Sequence, residues 1–293
     1  MNKIIILSSS TYEDASTTNY GDCILIDTGS RLIIYDCGHE KHAEHAIKYM
    51  DNHGYSTASI ILSHNDSDHF DGIPTLLATG RISAVYTTLL LKYKKEICER
   101  IDDKRRKPDS VATEILQLYD NIAKLSGEPI YDIYQSPPDF GSDVTIVGPE
   151  LDYMLDAVAK RLDGREGDTV DQETAVNATS LQVAVDFNGS KLLLCGDCSY
   201  PAIEDKILDY SGIQLPHHGK CKQAEQIFQK NTDNGRTQVK YFVSDNTGSS
   251  NGGSDNLSTQ GFNVKNTKKD GNIIIEHWTL SPISSMTRKV LGK

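Results

Sequence analysis

The sequence predicts an α/β domain, on three observations. Short β-branched runs such as Ile4 to Leu7 and Leu32 to Tyr35 recur along the chain, and stretches with helical spacing lie between them. Three of the apolar runs end in side chains able to bind a metal ion. No Pro-, Gly- or Ser-rich linker divides the 293 residues, so 1–293 reads as a single domain, ample for a sizeable core.

Ile4 to Leu7, Cys23 to Ile26 and Leu32 to Tyr35 are separated by turn residues, which predicts an antiparallel start with Asp27-Thr28-Gly29-Ser30 as a hairpin tip. His39 to His53 is a predicted helix: Ala43, Ala46, Ile47 and Met50 share a face, and Gly54 stops it. Its His39, His42 and His45 read as a polar face. A strand from Ile60 to Ser63, a helix from Ile73 to Ala78 and a strand from Ala84 to Thr87 follow. Between residues 92 and 125 the spacing of Ile97, Ile101, Val111, Ile115, Leu118 and Ile122 predicts a charged helical insertion. Val144 to Val147 reads as a strand, Leu151 to Leu162 as a helix and Asp163 to Glu173 as an acidic loop. Leu181 to Phe187 and Lys191 to Cys195 are strands joined by Asn188-Gly189, a type I′ hairpin signal. The rest reads as a helix from Pro201 to Tyr210, a strand from Ile213 to Leu215, a helix, and a strand from Tyr241 to Ser244. A surface loop from Asp245 to Asn256 and a last strand from Ile273 to Glu276 complete it.

The formal net charge of −11 excludes a globally basic nucleic-acid binder, though not a local basic patch. The N-terminal apolar run is too short for a signal segment, and no stretch approaches about 20 apolar residues, so a cytoplasmic protein with no membrane span is expected. Six scattered cysteines are expected to be reduced, and Cys195-Gly196-Asp197-Cys198 has no second CxxC to form a zinc clip.

The densest chemistry is His64-Asn65-Asp66-Ser67-Asp68-His69, directly after the apolar run Ile60 to Leu62. Imidazole and carboxylate without thiolate suit catalytic zinc, manganese or iron better than a structural clip. Alternation along an extended segment points His64, Asp66 and Asp68 to one side, and His69 joins them if the chain turns before Gly72 and Pro74. A plain helix-capping loop would need one such residue rather than four. Two further runs end similarly: Leu192 to Leu194 before Gly196-Asp197, and Ile213 to Leu215 before Pro216-His217-His218-Gly219.

Together with Gly21-Asp22-Cys23-Ile24-Leu25-Ile26, Ile34-Tyr35-Asp36-Cys37-Gly38 and Val176-Asn177-Ala178-Thr179-Ser180-Leu181, these segments resemble metallo-β-lactamase-fold hydrolases. The resemblance is closest to the ComEC-like branch, the soluble hydrolase domain associated with bacterial DNA-uptake channels, and runs from about residue 4 to 280. It implies an αββα sandwich with two divalent ions, zinc or manganese, at strand ends along one edge. By that resemblance His64 and Asp66 belong to the first ion, Asp68 and His69 to the second, and Asp197 bridges them. One of His217 and His218 completes the second site. His217, nearer the strand end, carries more weight, with His218 as an outer residue or proton donor. Asp36 braces the metal loop, and Asn177 and Ser180 stand in the matching middle segment. Asp66 occupies a place where many members have His, and no His lies between His69 and His217, so the first site is expected to be weak.

The implied activity is hydrolysis by metal-activated water, with Asp68 and His218 as catalytic residues. The expected substrate is an anionic phosphodiester, a nucleic acid or nucleotide, helped by Lys92, Lys94, Lys95, Arg100, Lys104, Arg105, Arg106 and Lys107. Two other functions fit the same residues: hydrolysis of a non-nucleotide ester, lactone or thioester, and a non-catalytic metal-binding sensor.

Overall fold

The computed structural model describes residues 3–125, 127–164, 169–187, 189–249 and 253–276. Its strands are β1 (Lys3–Ile6), β2 (Ile24–Asp27), β3 (Leu32–Tyr35), β4 (Ala58–Ile61), β5 (Ile82–Thr87), β6 (Ile130–Asp132), β7 (Val144–Gly148), β8 (Thr169–Val170), β9 (Glu173–Thr174), β10 (Gln182–Phe187), β11 (Ser190–Leu194), β12 (Gly212–Gln214), β13 (Lys240–Val243), β14 (Asn263–Asn266) and β15 (Ile273–Ile275). Its helices are α1 (Glu40–His53), α2 (Ser67–Phe70), α3 (Ile73–Ala78), α4 (Lys94–Arg100), α5 (Pro108–Leu118), α6 (Asp120–Lys124), α7 (Leu151–Asp163), α8 (Ala175–Ala178), α9 (Pro216–Gly219), α10 (Cys221–Asp233) and α11 (Thr267–Asp270).

Two sheets form, in the orders β15-β1-β2-β3-β4-β5-β6 and β14-β13-β12-β11-β10-β7. The first is antiparallel from β15 to β3 and parallel from β3 to β6. The second is antiparallel from β7 to β11 and parallel beyond. Strand alternation builds the layers. Ile4, Ile6, Ile24, Ile26, Ile33 and Tyr35 face Val183, Val185, Leu192 and Leu194 between the sheets. Ile5, Leu25, Ile34 and Ile60 point the other way, against Ala43, Ala46 and Met50 of α1. On the far side Leu193, Ile213 and Tyr241 meet Ala224, Ile227 and Phe228 of α10. Burial on both faces explains why the strands read as unbroken apolar runs. The result is the αββα sandwich.

Helix α1 starts where His39 Nδ1 accepts from the Lys41 N–H at 3.1 Å and ends at Gly54, whose φ of 75° is left-handed. His42 lies inside, not on a polar face: it is fully buried near Tyr12 and Tyr20, and burial pulls its pKa down to about 3. The helical insertion contains α4, α5 and α6; residues 101–107 break the helical run between α4 and α5, and Pro108 restarts the helix. Of the eight basic residues from Lys92 to Lys107, four are matched by acids: Lys94 with Asp109, Arg100 with Asp152 and Asp156, Arg105 with Asp103, Arg106 with Glu114.

Other departures follow from short or polar segments. Pro201 to Tyr210 forms two single 3₁₀ turns, Tyr200–Ala202 and Ile207–Asp209. The acidic loop holds the hairpin β8–β9. Strands β6 and β14, three and four residues long, give no apolar run. Asp245, Asn246 and Thr247 are buried, and Asn246 Nδ2 donates to the Leu7 and Gly21 carbonyls at 3.0 and 3.1 Å, tying the expected surface loop to β1 and β2. Asn188 of the predicted hairpin turn lies outside the described residues; Phe187 and Ser190 on either side pair as a two-residue turn requires. Among the described residues no helix is long and apolar enough to cross a membrane.

Candidate metal centre

The candidate residues leave the C-terminal ends of β3, β4, β11 and β12, on one edge of the sandwich. Two glycines allow the chain to close there. Asp22 N–H donates to the Asp68 carbonyl at 2.8 Å. A Cβ at Gly21, whose φ is +61°, would lie 1.7 Å from that carbonyl oxygen, and one at Gly38 would lie 2.0 Å from it. Only glycine fits at either position.

Each imidazole is held by its Nδ1. Asp36 Oδ1 accepts from the Ser63 N–H at 2.6 Å, and its Oδ2 accepts from Ser63 Oγ at 2.7 Å and faces His69 Nδ1 at 2.8 Å. A carboxylate takes only donors, so His69 Nδ1 carries a proton toward Asp36 and Nε2 is the nitrogen turned to the centre. The one hydroxyl proton of Ser63 is spent on Asp36, so the 2.9 Å contact with His64 Nδ1 is donated by the imidazole. His218 Nδ1 lies 3.1 Å from Asp22 Oδ1 and 3.0 Å from the Ser244 carbonyl. His217 Nδ1 lies 2.7 Å from Glu173 Oε2, a buried carboxylate that also accepts from Lys220 Nζ and Gln223 Nε2.

The four Nε2 atoms meet carboxylates instead. His69 Nε2 is 3.3 Å from Asp197 Oδ1, and His218 Nε2 is 3.1 Å from Asp68 Oδ2 and 3.9 Å from Asp197 Oδ2. His217 Nε2 is 3.8 Å from Asp197 Oδ2, and His64 Nε2 is 3.7 Å from Asp66 Oδ2. The charges are strongly coupled. Burial would raise the Asp197 pKa, yet His69, His218 and His217 together hold it well below the usual carboxylate range. Burial would likewise lower the His69 and His218 pKa values, but Asp197 with Asp36 and Asp22 pushes both well up. Asp68 is held low against its burial by His218 and His69.

Buried polar atoms without hydrogen-bond partners test whether a metal fits. His64 Nε2, His69 Nε2, Asp197 Oδ1 and Asp22 Oδ2 are all such atoms. Each costs about 1–3 kcal/mol if left so. Ligand atoms of Asp22, His69, Asp197 and His218 lie within 4.8 Å of one another. Nitrogen and oxygen donors so arranged suit a divalent cation. The residues therefore fit the implied metal.

The structure brings Asp68, His69, Asp197 and His218 together and sets His64 beside them through the His69 ring, 4.1 Å between centroids. Asp66, whose Oδ2 is the carboxylate oxygen 3.7 Å from His64 Nε2, lies at the rim with its side chain 42% exposed. Asn177 Nδ2 lies 3.5 Å from Asp197 Oδ2, and Ser180 Oγ accepts from the Asp197 N–H at 3.3 Å, so the first reaches the carboxylate and the second holds the backbone that carries it. His217 and His218 lie 3.8 and 3.9 Å by Nε2 from Asp197 Oδ2 but differ in burial. Both residues have left-handed φ, 52° and 54°, and that tight turn carries His218 inward while His217 stays at the rim, 30% exposed. Asp22 and Glu173 escaped the sequence reading as site residues; the only signal for Asp22 was an acid and glycine directly before an apolar strand.

Imidazoles and carboxylates converging at strand ends along one edge of an αββα sandwich define a metal-dependent hydrolase. A family described as the Metallo-beta-lactamase superfamily matches residues 16–233, and the chain belongs to it. Solved structures share the fold: the metallo-beta-lactamase fold protein YhfI from Bacillus subtilis is 12% identical over 94% of this chain and 100% of its own, with a TM-score of 0.51. Tm1679, a metal-dependent hydrolase of the beta-lactamase superfamily, is 12% identical over 94% of this chain and 99% of its own, with a TM-score of 0.50. No curated protein sequence matches the chain.

Proposed function

We propose that the protein hydrolyses a phosphodiester of a nucleic acid or nucleotide, using two divalent ions, zinc or manganese. The observation that carries this is Asp197, whose Oδ1 faces His69 while Oδ2 faces His217 and His218, so that both of its oxygens would be available to hold divalent ions beside imidazole. Bound divalent ions supply Lewis acidity and water activation at neutral pH. Asp22 and Asp36 keep the Nε2 atoms of His218 and His69 turned inward, and Asp68 orients His218 through its 3.1 Å contact. His217, at the rim and backed by Glu173, is placed to give a proton from Nε2 to a leaving oxygen. The choice of a phosphodiester over an uncharged ester rests on the ComEC-like resemblance of Gly21-Asp22, Asn177 to Ser180 and Pro216 to Gly219, and on positive ions attracting an anion despite an acidic chain.

The test is a substrate panel with manganese- or zinc-loaded protein. Single-stranded, duplex or cyclic nucleotide phosphodiesters should be cleaved, and Asp68→Ala should slow this on the order of a hundredfold or more. Hydrolysis of lactones or thioesters with every nucleotide left intact would refute the phosphodiester reading, and absence of any turnover by the metal-loaded protein would favour a sensor.

A further inference from the structure

We propose that Asn19 is a positioning residue of the metal centre, holding the Asp68 carboxylate toward the imidazoles from the loop that joins β1 to β2. Its Nδ2 donates to Asp68 Oδ2 at 3.0 Å, across 49 residues of chain. The same oxygen faces His218 Nε2 at 3.1 Å. The inference rests on the metal centre of the proposed function, with Asp68 as one of its ligands, and not on the choice of substrate.

The amide can face only one way. Asn19 Oδ1 accepts from the Gly21 N–H at 3.0 Å, closing a turn in which the side chain mimics backbone. Flipping the amide would set its NH2 against that N–H and its oxygen against the carboxylate, two like contacts in place of two hydrogen bonds. The next N–H along, that of Asp22, donates to the Asp68 carbonyl at 2.8 Å. One short segment thus grips Asp68 twice, by its carbonyl from Asp22 and by its carboxylate from Asn19.

The loop itself is tied down on both sides of that amide. Tyr20 is fully buried, its N–H donates to the Asn246 carbonyl at 2.8 Å, and its hydroxyl donates to Asp14 Oδ1. Earlier in the loop, the Ser9 N–H donates to Asn246 Oδ1 at 2.9 Å, and the Ser16 carbonyl accepts from the Ser249 N–H at 3.0 Å. An anchored neutral donor fixes the direction of a carboxylate without cancelling its charge, as a lysine or arginine there would. Asp68 Oδ2 therefore keeps its second lone pair and its negative charge for a cation beside His218.

Zinc affinity, read by competition against a metal-binding dye, tests this role apart from turnover. Asn19→Ser keeps a side-chain oxygen for the Gly21 N–H but is too short to reach Asp68. It should bind zinc about 10–100-fold more weakly than the parent, while the metal-free protein melts at the same temperature. Because Asn19 acts through Asp68, adding Asn19→Ser to Asp68→Ala should cost less than about twofold further, where independent effects would multiply. Unchanged zinc affinity in Asn19→Ser overturns the inference. So does a loss that multiplies in full with that of Asp68→Ala, or one that comes with a lower melting temperature of the metal-free protein, since either means that Asn19 supports the loop alone. A parent protein that binds no zinc refutes the metal centre and this inference with it. Cleavage of lactones alone refutes the phosphodiester reading and leaves the role of Asn19 standing on the zinc measurements.

Discussion

Asp36 touches no open face of the centre, yet its two oxygens set the tautomer of His69 and, through Ser63, that of His64. Its own backbone is left-handed, with φ 58°, which turns the carboxylate back beneath the loop at the end of β4. Asp36→Asn keeps the shape but offers an amide that can present N–H instead of oxygen to His69. Loss of such an orienting partner costs about 10–100-fold in metal affinity. Competition against a metal-binding dye should show that fall with the thermal transition still cooperative; unchanged affinity would mean that packing alone orients His69. At this scale the sequence was most legible where residues carry chemistry at the end of an apolar run, as His64, Asp68, His69, Asp197 and the His217-His218 pair do. Asp22 and Glu173 were not legible, because they act on the far nitrogen of an imidazole 196 and 44 residues away in the chain. No local pattern records such pairings.

The helical insertion shows what periodicity does and does not reveal about an element. Its apolar spacing marked the buried Ile97, Ile101, Val111, Ile115 and Ile122, all packed on the outer face of the first sheet. Its charges are partly answered from outside it, since the acids that pair with Arg100 come from α7. Nor could spacing show that α6 is fastened to the metal loop by Asn65, a residue that reads only as filler between two ligands. Asn65→Ala leaves the buried Ile122 N–H without its acceptor and frees the Leu118 carbonyl. The expected cost is about 1–3 kcal/mol in urea-unfolding stability. A loss within a few tenths of a kcal/mol would mean that the hydrophobic contacts of α5 and α6 hold the insertion without the metal loop.

For the whole molecule, the alternation of strands and helices predicted an α/β domain, while the sandwich came from the family resemblance of the motif segments. What holds the open edge of that sandwich is different in kind. Asp22, Asp68 and Asp197 gather there with His69 and His218, and without a cation these groups must satisfy one another at 3.1 to 3.9 Å while several atoms go unpaired. A divalent ion binds this arrangement in the native state alone, since the ligands come from strands far apart in sequence. By mass action, an ion at a hundred times its dissociation constant adds about 2.7 kcal/mol to stability. The melting temperature of metal-stripped protein should thus rise by several degrees with manganese or zinc and fall back on chelation. Asp197→Asn removes the one carboxylate that faces three imidazoles, and should shrink that rise while leaving the metal-free protein folded. A melting temperature indifferent to metal in the parent protein would show that the imidazole and carboxylate pairs satisfy themselves without an ion. A rise of equal size in Asp197→Asn would place the ion elsewhere.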